Sequence, residues 1–382
     1  MKFSKSISIV CLLSLFLVVS GAAAQTTDIN SVDSPTDVKL NSVCIVNNQT
    51  ATDNGIDMLN AWAVGDSGTI VSWDGANWNT QSSPTSLNLY SVIFTEANNG
   101  WAVGGNGDTG VILHYDGTWA VWNQISFSGY PDETDTVNAT LYGLTMDIGG
   151  SVGWAVGSNG IVLTWDGGSN TWFGFTDVSQ STLRDVTVLH GTDDAWIVGD
   201  SGTVIHWDGS SFNTMTSSTG MPLYTIQVLN ETSAMAAGGS TGNGVVLMLN
   251  GDTWNEVTNF NFGMEGTSSM VNSTIYDMDF SNATSGWGVG SDGFVMYWDG
   301  SMWTCDVNVA NTNLNGVSMI HAATNGALQA WAVGDGGKIV AFNGAEWVPE
   351  LSVVAVLFLM TVGFVAVVLG KAKSLRRPAL AS

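Results

Sequence analysis

Lysine and arginine are nearly missing from the middle of this chain. Of the nine in 382 residues, Lys2, Lys5, Lys371, Lys373, Arg376 and Arg377 lie at the two ends, leaving Lys39, Arg184 and Lys338 between them. A surface so poor in cations cannot neutralise phosphates, which excludes nucleic acid as a partner. The acidic residues number 33, and the formal net charge of −24 repels anionic polymers and attracts cations. Cysteine is scarce as well: there are three, Cys11, Cys44 and Cys305. The last two fall in distant repeats, beyond the reach of a disulfide, and are expected to be buried free thiols. Histidine is thin and scattered, at His114, His190, His206 and His321, so a shared metal is not expected from it. His114 and His206 share one repeat position, the slot that Ser72 and Thr164 fill elsewhere, where a turn hydrogen bond is wanted. No Ser–His–Asp order, nucleophile elbow or phosphate-cradling loop is visible, and no internal helix.

The ends differ from the middle. Residues 1–24 carry Lys2 and Lys5, an apolar run from Ile7 to Val19, and Ala22-Ala23-Ala24, the pattern of a secretory signal peptide. Residues 351–370 form an uncharged apolar stretch long enough to span a bilayer. The basic tail 371–382 then belongs in the cytoplasm by the positive-inside rule, and 25–347 outside. The expected location is the cell surface, membrane-anchored. The sequons at Asn48, Asn138, Asn230, Asn272 and Asn282 suit an exported chain whose host glycosylates.

Between the ends runs a seven-fold repeat. Its marker is the Trp of a G-W-A-V-G-like strand, at Trp62, Trp101, Trp154, Trp196, Trp287 and Trp331, with Met235 in the fifth copy. Each copy opens on L-x-x-V (Leu40/Val43, Leu141/Leu144, Leu183/Val186), crosses the Trp strand, and turns through a Gly-rich step into a strand ending near W-D-G. The Asp-Gly and Asn-Gly pairs suit tight hairpins, and a fourth strand opens near an aromatic such as Trp78, Trp172 or Trp303. The period belongs to propeller blades. The expected fold is all-β: a seven-bladed β-propeller ectodomain of four-stranded blades over 25–347. The seventh copy lacks a fourth strand, and Asp28–Asp33 echoes the outer strand of blade one, so the N-terminal strand is expected to close the ring.

L-x-x-V, G-W-A-V-G and G-x-I-x-x-W-D-G together resemble the photosystem II assembly-factor-like propellers, and the W-D-G turn resembles a degenerate Asp-box of bacterial neuraminidase repeats. The resemblance spans nearly all of residues 28–347 and implies fold more than role. Sialidases share Asp-boxes but need an arginine cluster, which Arg184 alone cannot supply. The photosynthetic propellers use a basic patch, which this ectodomain lacks. Val348-Pro349-Glu350 (348–350), the apolar segment and the basic tail resemble C-terminal sorting signals of the PEP-CTERM and PEF-CTERM types. That resemblance implies a sorting transpeptidase acting at Pro349-Glu350; a retained transmembrane helix is the other reading.

Two constellations fall on one face. The residue after the leading Leu or Ile is Asn41, Tyr90, Tyr142, Arg184, Tyr224, Tyr276 and Asn315. The tyrosines with Arg184 form either a set of gap-filling rings or an aromatic mouth for a glycan or peptide. The turn set Asp66, Asn106, Asp108, Asn159, Asp200, Asp292 and Asp335 could bind Ca²⁺ weakly through Asp66, Asp200, Asp292 and Asp335, or simply suit turn geometry. No other cofactor is expected. Two long loops, Gln124–Asn138 and Asn259–Asn272, are expected to rise from that face, which should point away from the cell. The leading reading is a non-enzymatic, surface-anchored propeller that binds an extracellular protein or glycan. The alternative is a structural envelope component without a specific soluble ligand.

Overall fold

Seven sheets follow one another along the chain, and each repeats the same antiparallel four-strand course from the innermost strand outwards. The computed structural model describes residues 28–46, 60–121, 125–127, 137–147, 149–175, 178–189, 191–230, 232–262, 267–306, 309–319 and 329–343. All of them belong to one compact unit, Thr26–Glu346. The signal-like leader, Asn48, His190, His321, Pro349, Glu350, the 351–370 segment and the basic tail lie outside the described residues. Among the described residues, no helix is long and apolar enough to cross a membrane.

Blade three shows the unit. Leu141–Met146 pairs with Val152–Gly157, that strand with Val162–Asp166, and that with Thr171–Phe175. The leading Leu or Ile is fully buried in all seven blades, from Leu40 and Leu89 to Leu314. The Ala and Val of the Trp strand are buried too, because this strand has a sheet on either side of it. The Trp rings fill the seams between blades: Trp62 lies 5.1 Å from Phe94 of blade two, and Trp101 lies 4.8 Å from Trp165 of blade three.

Ring closure follows the expectation. Asp28–Val32 pairs antiparallel with Ile339–Asn343, so the chain start supplies the outer strand of blade seven. Each innermost strand faces the ring axis as a sheet edge, and its outward N–H groups need partners. Side chains of the preceding blade supply several of them. Asp185 accepts from the Ile226 N–H at 2.9 Å, Thr225 from Met278 at 3.2 Å, and Asp277 from Val317 at 2.9 Å. Ser318 accepts from Ile45 at 3.1 Å, joining blade seven to blade one.

Among the described residues, three blades exceed four strands. Ile125–Phe127, inside the first long loop, runs parallel to the outer strand of blade three. Phe260–Asn261 and Thr267–Ser268, inside the second, extend blade six, and Thr216–Ser217 extends blade five. The described parts of the long loops therefore lie along the rim of the next blade and do not rise from one face. Extending a sheet satisfies backbone groups that a free loop would leave to water.

The cysteines and histidines settle into the framework. Cys44 and Cys305 are both free, as expected, though only Cys305 is buried and Cys44 is half-buried; desolvation pushes each thiol up to about 12. His114 and His206 each cover the Trp that stands opposite them in the ladder. His114 lies over Trp101 with centroids 4.2 Å apart, and His206 stacks on Trp196 at 4.0 Å. Burial lowers the pKa of His114, favouring the neutral ring.

Candidate functional site: the bulge face

One irregularity recurs in every blade. The register between the first two strands slips directly after the leading Leu or Ile: Leu89 pairs with Gly104 and Ser91 with Val103, leaving Tyr90 between them. The same slip isolates Asn41, Tyr142, Arg184, Tyr224, Tyr276 and Asn315. Each is the extra residue of a β-bulge, a device that re-aims a side chain at a sheet end. The seven positions read from the sequence as one register are therefore one structural position, and all seven residues are half-buried.

The bulge also explains the Gly that ends the Trp strand. At Gly157 an added Cβ would lie 2.1 Å from the Thr140 carbonyl oxygen, and at Gly65 2.0 Å from that of Lys39. The kinked inner strand presses its backbone against this Cα, so a side chain has no room.

Five bulge residues on successive blades form a continuous row. Tyr90 and Tyr142 lie 5.0 Å apart by ring centroid, and Tyr224 and Tyr276 lie 5.9 Å apart. Arg184 joins the two pairs, its guanidinium carbon 4.8 Å from the Tyr142 centroid and 5.7 Å from that of Tyr224. Such distances fit cation–π contact. The guanidinium also holds Asp200 in a fork, Nε to Oδ1 at 2.9 Å and Nη2 to Oδ2 at 3.0 Å.

The turn acids separate into two classes. Asp66, Asp200 and Asp335 take the first position of the turn, and each is bound by the bulge residue of its own blade. Asn41 donates to Asp66 at 3.0 Å, Arg184 to Asp200, and Asn315 to Asp335 at 2.9 Å. Lys39 approaches Asp335 at 3.9 Å. Asp292 stands one position later, with Asn159, Ser67 and Ser201, in the left-handed region at φ 56°. Blades three and six, which carry a bulge Tyr, have Ser158 and Ser291 at the first position instead. In the five blades that make this turn, bulge residue and turn residue go together, Asn or Arg with Asp and Tyr with Ser; in blades two and five the bulge Tyr stands beside a longer hairpin that continues through Gly105 and Gly239. Asn106 and Asp108 lie in the exposed hairpin of blade two. Among the described residues no group of three His, Cys, Asp or Glu gathers as a metal site.

The Asp of the W-D-G turns, at the other end of the blades, braces its own loop. Asp208 accepts from the N–H of Ser210 and Ser211 and from their hydroxyls, which hold its carboxyl well below the usual range. Asn138, Asn230, Asn272 and Asn282 are exposed.

No protein-family model and no curated protein matches the chain. Solved structures do. One is a YCF48 bound to D1 peptide, at 14% identity and TM-score 0.57, over 84% of this chain and 97% of that one. A second is YCF48 from Cyanidioschyzon merolae, at 14% identity and TM-score 0.56, over 82% of this chain and 98% of that one. A third is the WD40 repeats of RRP9, at 10% identity and TM-score 0.59, over 84% and 99%. Likeness at such low identity carries the fold alone, and with the seven sheets above it identifies residues 28–343 as a seven-bladed β-propeller.

Proposed function

We propose that this chain is a non-catalytic binding module that holds a peptide segment of a protein partner across the Tyr–Arg row of its bulge face. The observation that carries the reading is the row itself: Tyr90, Tyr142, Arg184, Tyr224 and Tyr276, projected by five consecutive bulges and kept half-exposed. Rings that are large, rigid and amphipathic lose little conformational freedom on binding, and Tyr and Arg are enriched where interfaces draw their affinity. A distant propeller of the same fold has been solved with a peptide bound, which supports a peptide over a small molecule.

The module acts at the cell surface in this reading. The 1–24 leader exports it, and the 351–370 segment with its basic tail anchors it. In the alternative reading a sorting transpeptidase acts at Pro349-Glu350 and removes that segment; the W-D-G turns are a degenerate Asp-box used as a brace. Binding of the full chain to peptide and glycan arrays, compared with the Tyr142→Ala/Tyr224→Ala variant, tests the core of the proposal. The wild type should select peptides, and the double variant should lose at least about tenfold in affinity. Binding that is unchanged in the variant, or confined to glycans, would overturn it.

A further inference from the structure

The seam between blades three and four holds a cavity of about 240 Å³, at the W-D-G end of the blades. The Val152↔Asp166 pair marks this end of blade three, while the bulge Tyr142 lies beside the Leu141↔Gly157 pair at the other. The cavity is therefore separate from the Tyr–Arg row and independent of the proposal above.

Its origin is visible by comparing blades. In blade two, His114 stands opposite Trp101 across the ladder, stacks on it at 4.2 Å, and places Nε2 2.9 Å from the Asn99 Oδ1. In blade four, His206 stands opposite Trp196, lies parallel to it at 4.0 Å, and points Nε2 at the Asp194 carboxylate 4.0 Å away. In each case a ring covers the Trp, and a polar side chain two residues before the Trp faces that ring. In blade three the same three positions are Thr164, Trp154 and Val152, and all three line the cavity. Thr164 is shorter than an imidazole and Val152 offers no hydrogen bond, so the indole, 2% exposed, is covered by Phe175 and Trp207 and the cavity opens beside it. Blades one and seven also have a small residue there: Trp331, opposite Ala341, is packed by Trp73 and Trp78, and Gln81 reaches over and donates to Ser72 at 2.9 Å. The corresponding outer-strand position of blade three carries Phe175, which forms a wall of the cavity.

The walls are aromatic: Trp154, Trp165, Trp207 and Phe175. Trp207 lies 5.7 Å from Trp154, and Phe175 is stacked beside Trp154 at 6.3 Å. Asp166 and Asp193, both exposed, are the charged groups at the lining. Ser169 and the Gly168 N–H hold the Asp166 carboxyl below the usual range, so it stays ionised. Aromatic faces with carboxylates at the rim attract a cation and disfavour an anion. The volume suits a side-chain-sized head and is below the usual range for drug-sized ligands.

We infer that this cavity is a binding site for a planar organic cation, a guanidinium group, which enters beside Thr164 and Trp207 with the Asp166 and Asp193 carboxylates at its rim. The chain stacks its own guanidinium on aromatic rings elsewhere, Arg184 on Tyr142 and Tyr224. The group can arrive on a free small molecule or as an arginine side chain of a partner.

The test is titration of the purified full chain, with ¹⁵N-labelled tryptophan, using methylguanidinium, a neutral-capped Gly-Arg-Gly peptide and the uncharged isostere methylurea. The two cations should shift the Trp154, Trp165 and Trp207 indole signals, with dissociation constants in the millimolar range or tighter, and methylurea should not. The tighter binder of the two shows whether a free molecule or a partner arginine is the better fit. Val152→Asn/Thr164→His installs the blade-two arrangement and should abolish the shifts while the other indole signals keep their positions. Asp193→Asn, on an exposed carboxylate, should weaken binding about threefold or more without affecting folding. No shift with either cation, equal binding of methylurea, or undiminished binding in the filled variant would overturn the inference.

Discussion

Asp185 and Asp277 sit on the innermost strands of blades four and six, where each receives a backbone N–H from the next blade. Thr225 lies between them. Its hydroxyl accepts from Met278 and donates to Asp277 at 3.2 Å, and it also faces Asp185. One hydroxyl hydrogen cannot satisfy two carboxylates, so a proton retained on the pair completes the set. Burial raises Asp185 to about 7 and Asp277 well above the usual carboxylate range, and the charged groups facing Asp277 are Asp185 and Asp279. The folded chain therefore holds protons that the unfolded chain releases near pH 4. The stabilisation is complete below that pH and is lost as pH rises through about 7. The melting temperature should fall by several degrees between pH 5 and pH 8, and Asp185→Asn should flatten that slope. A wild-type profile flat over this window would contradict the assignment. The turn carboxylates such as Asp208 do not blur it, because they are held low and remain ionised throughout. The sequence showed Asp185 only as the residue after Arg184. Nothing in a single repeat says that this position is closed off by the next blade.

At the scale of the element, the bulge organises the inner strand. It turns one side chain per blade onto the face, and it drives the strand backbone against the Gly that closes the Trp strand. Gly157→Ala should destabilise the chain by about 2–4 kcal/mol, since the new Cβ meets the Thr140 carbonyl and backbone must move. Urea unfolding measures this, and a loss below about 0.5 kcal/mol, the size of an ordinary surface change, would contradict the bulge account. The Tyr register was legible because the offset from Leu is constant in every copy. The bulge was not, since its extra residue is absorbed into a strand of ordinary length. The turn acids show the same limit. Asp292 reads like Asp66 in the sequence, yet it sits one position later, because Ser291 begins the blade-six turn. His114 and His206 were legible as a shared slot, but their stacking on Trp needed the cross-strand register.

For the whole molecule, closure was the most legible feature. Residues 28–43 echo 78–92, and the ring indeed closes by pairing Asp28–Val32 with Ile339–Asn343. The long loops were legible as departures but not as rim strands, because strand addition depends on an edge that another part of the chain provides. The ring carries two differently built ends: a half-exposed Tyr–Arg row on the bulge face, and an aromatic cavity among the W-D-G turns. The chain carries a net charge of −24, so a partner is expected to be neutral or cationic. Tyrosine nitration read by mass spectrometry, with and without a peptide selected for binding, tests most directly whether the bulge face is the working surface. Tyr90, Tyr142, Tyr224 and Tyr276 should be protected by the peptide, while Tyr115 and Tyr297, in the seams beside Trp62 and Trp287, should react as before. Protection of Tyr115 or Tyr297 with the bulge tyrosines unchanged would contradict the account.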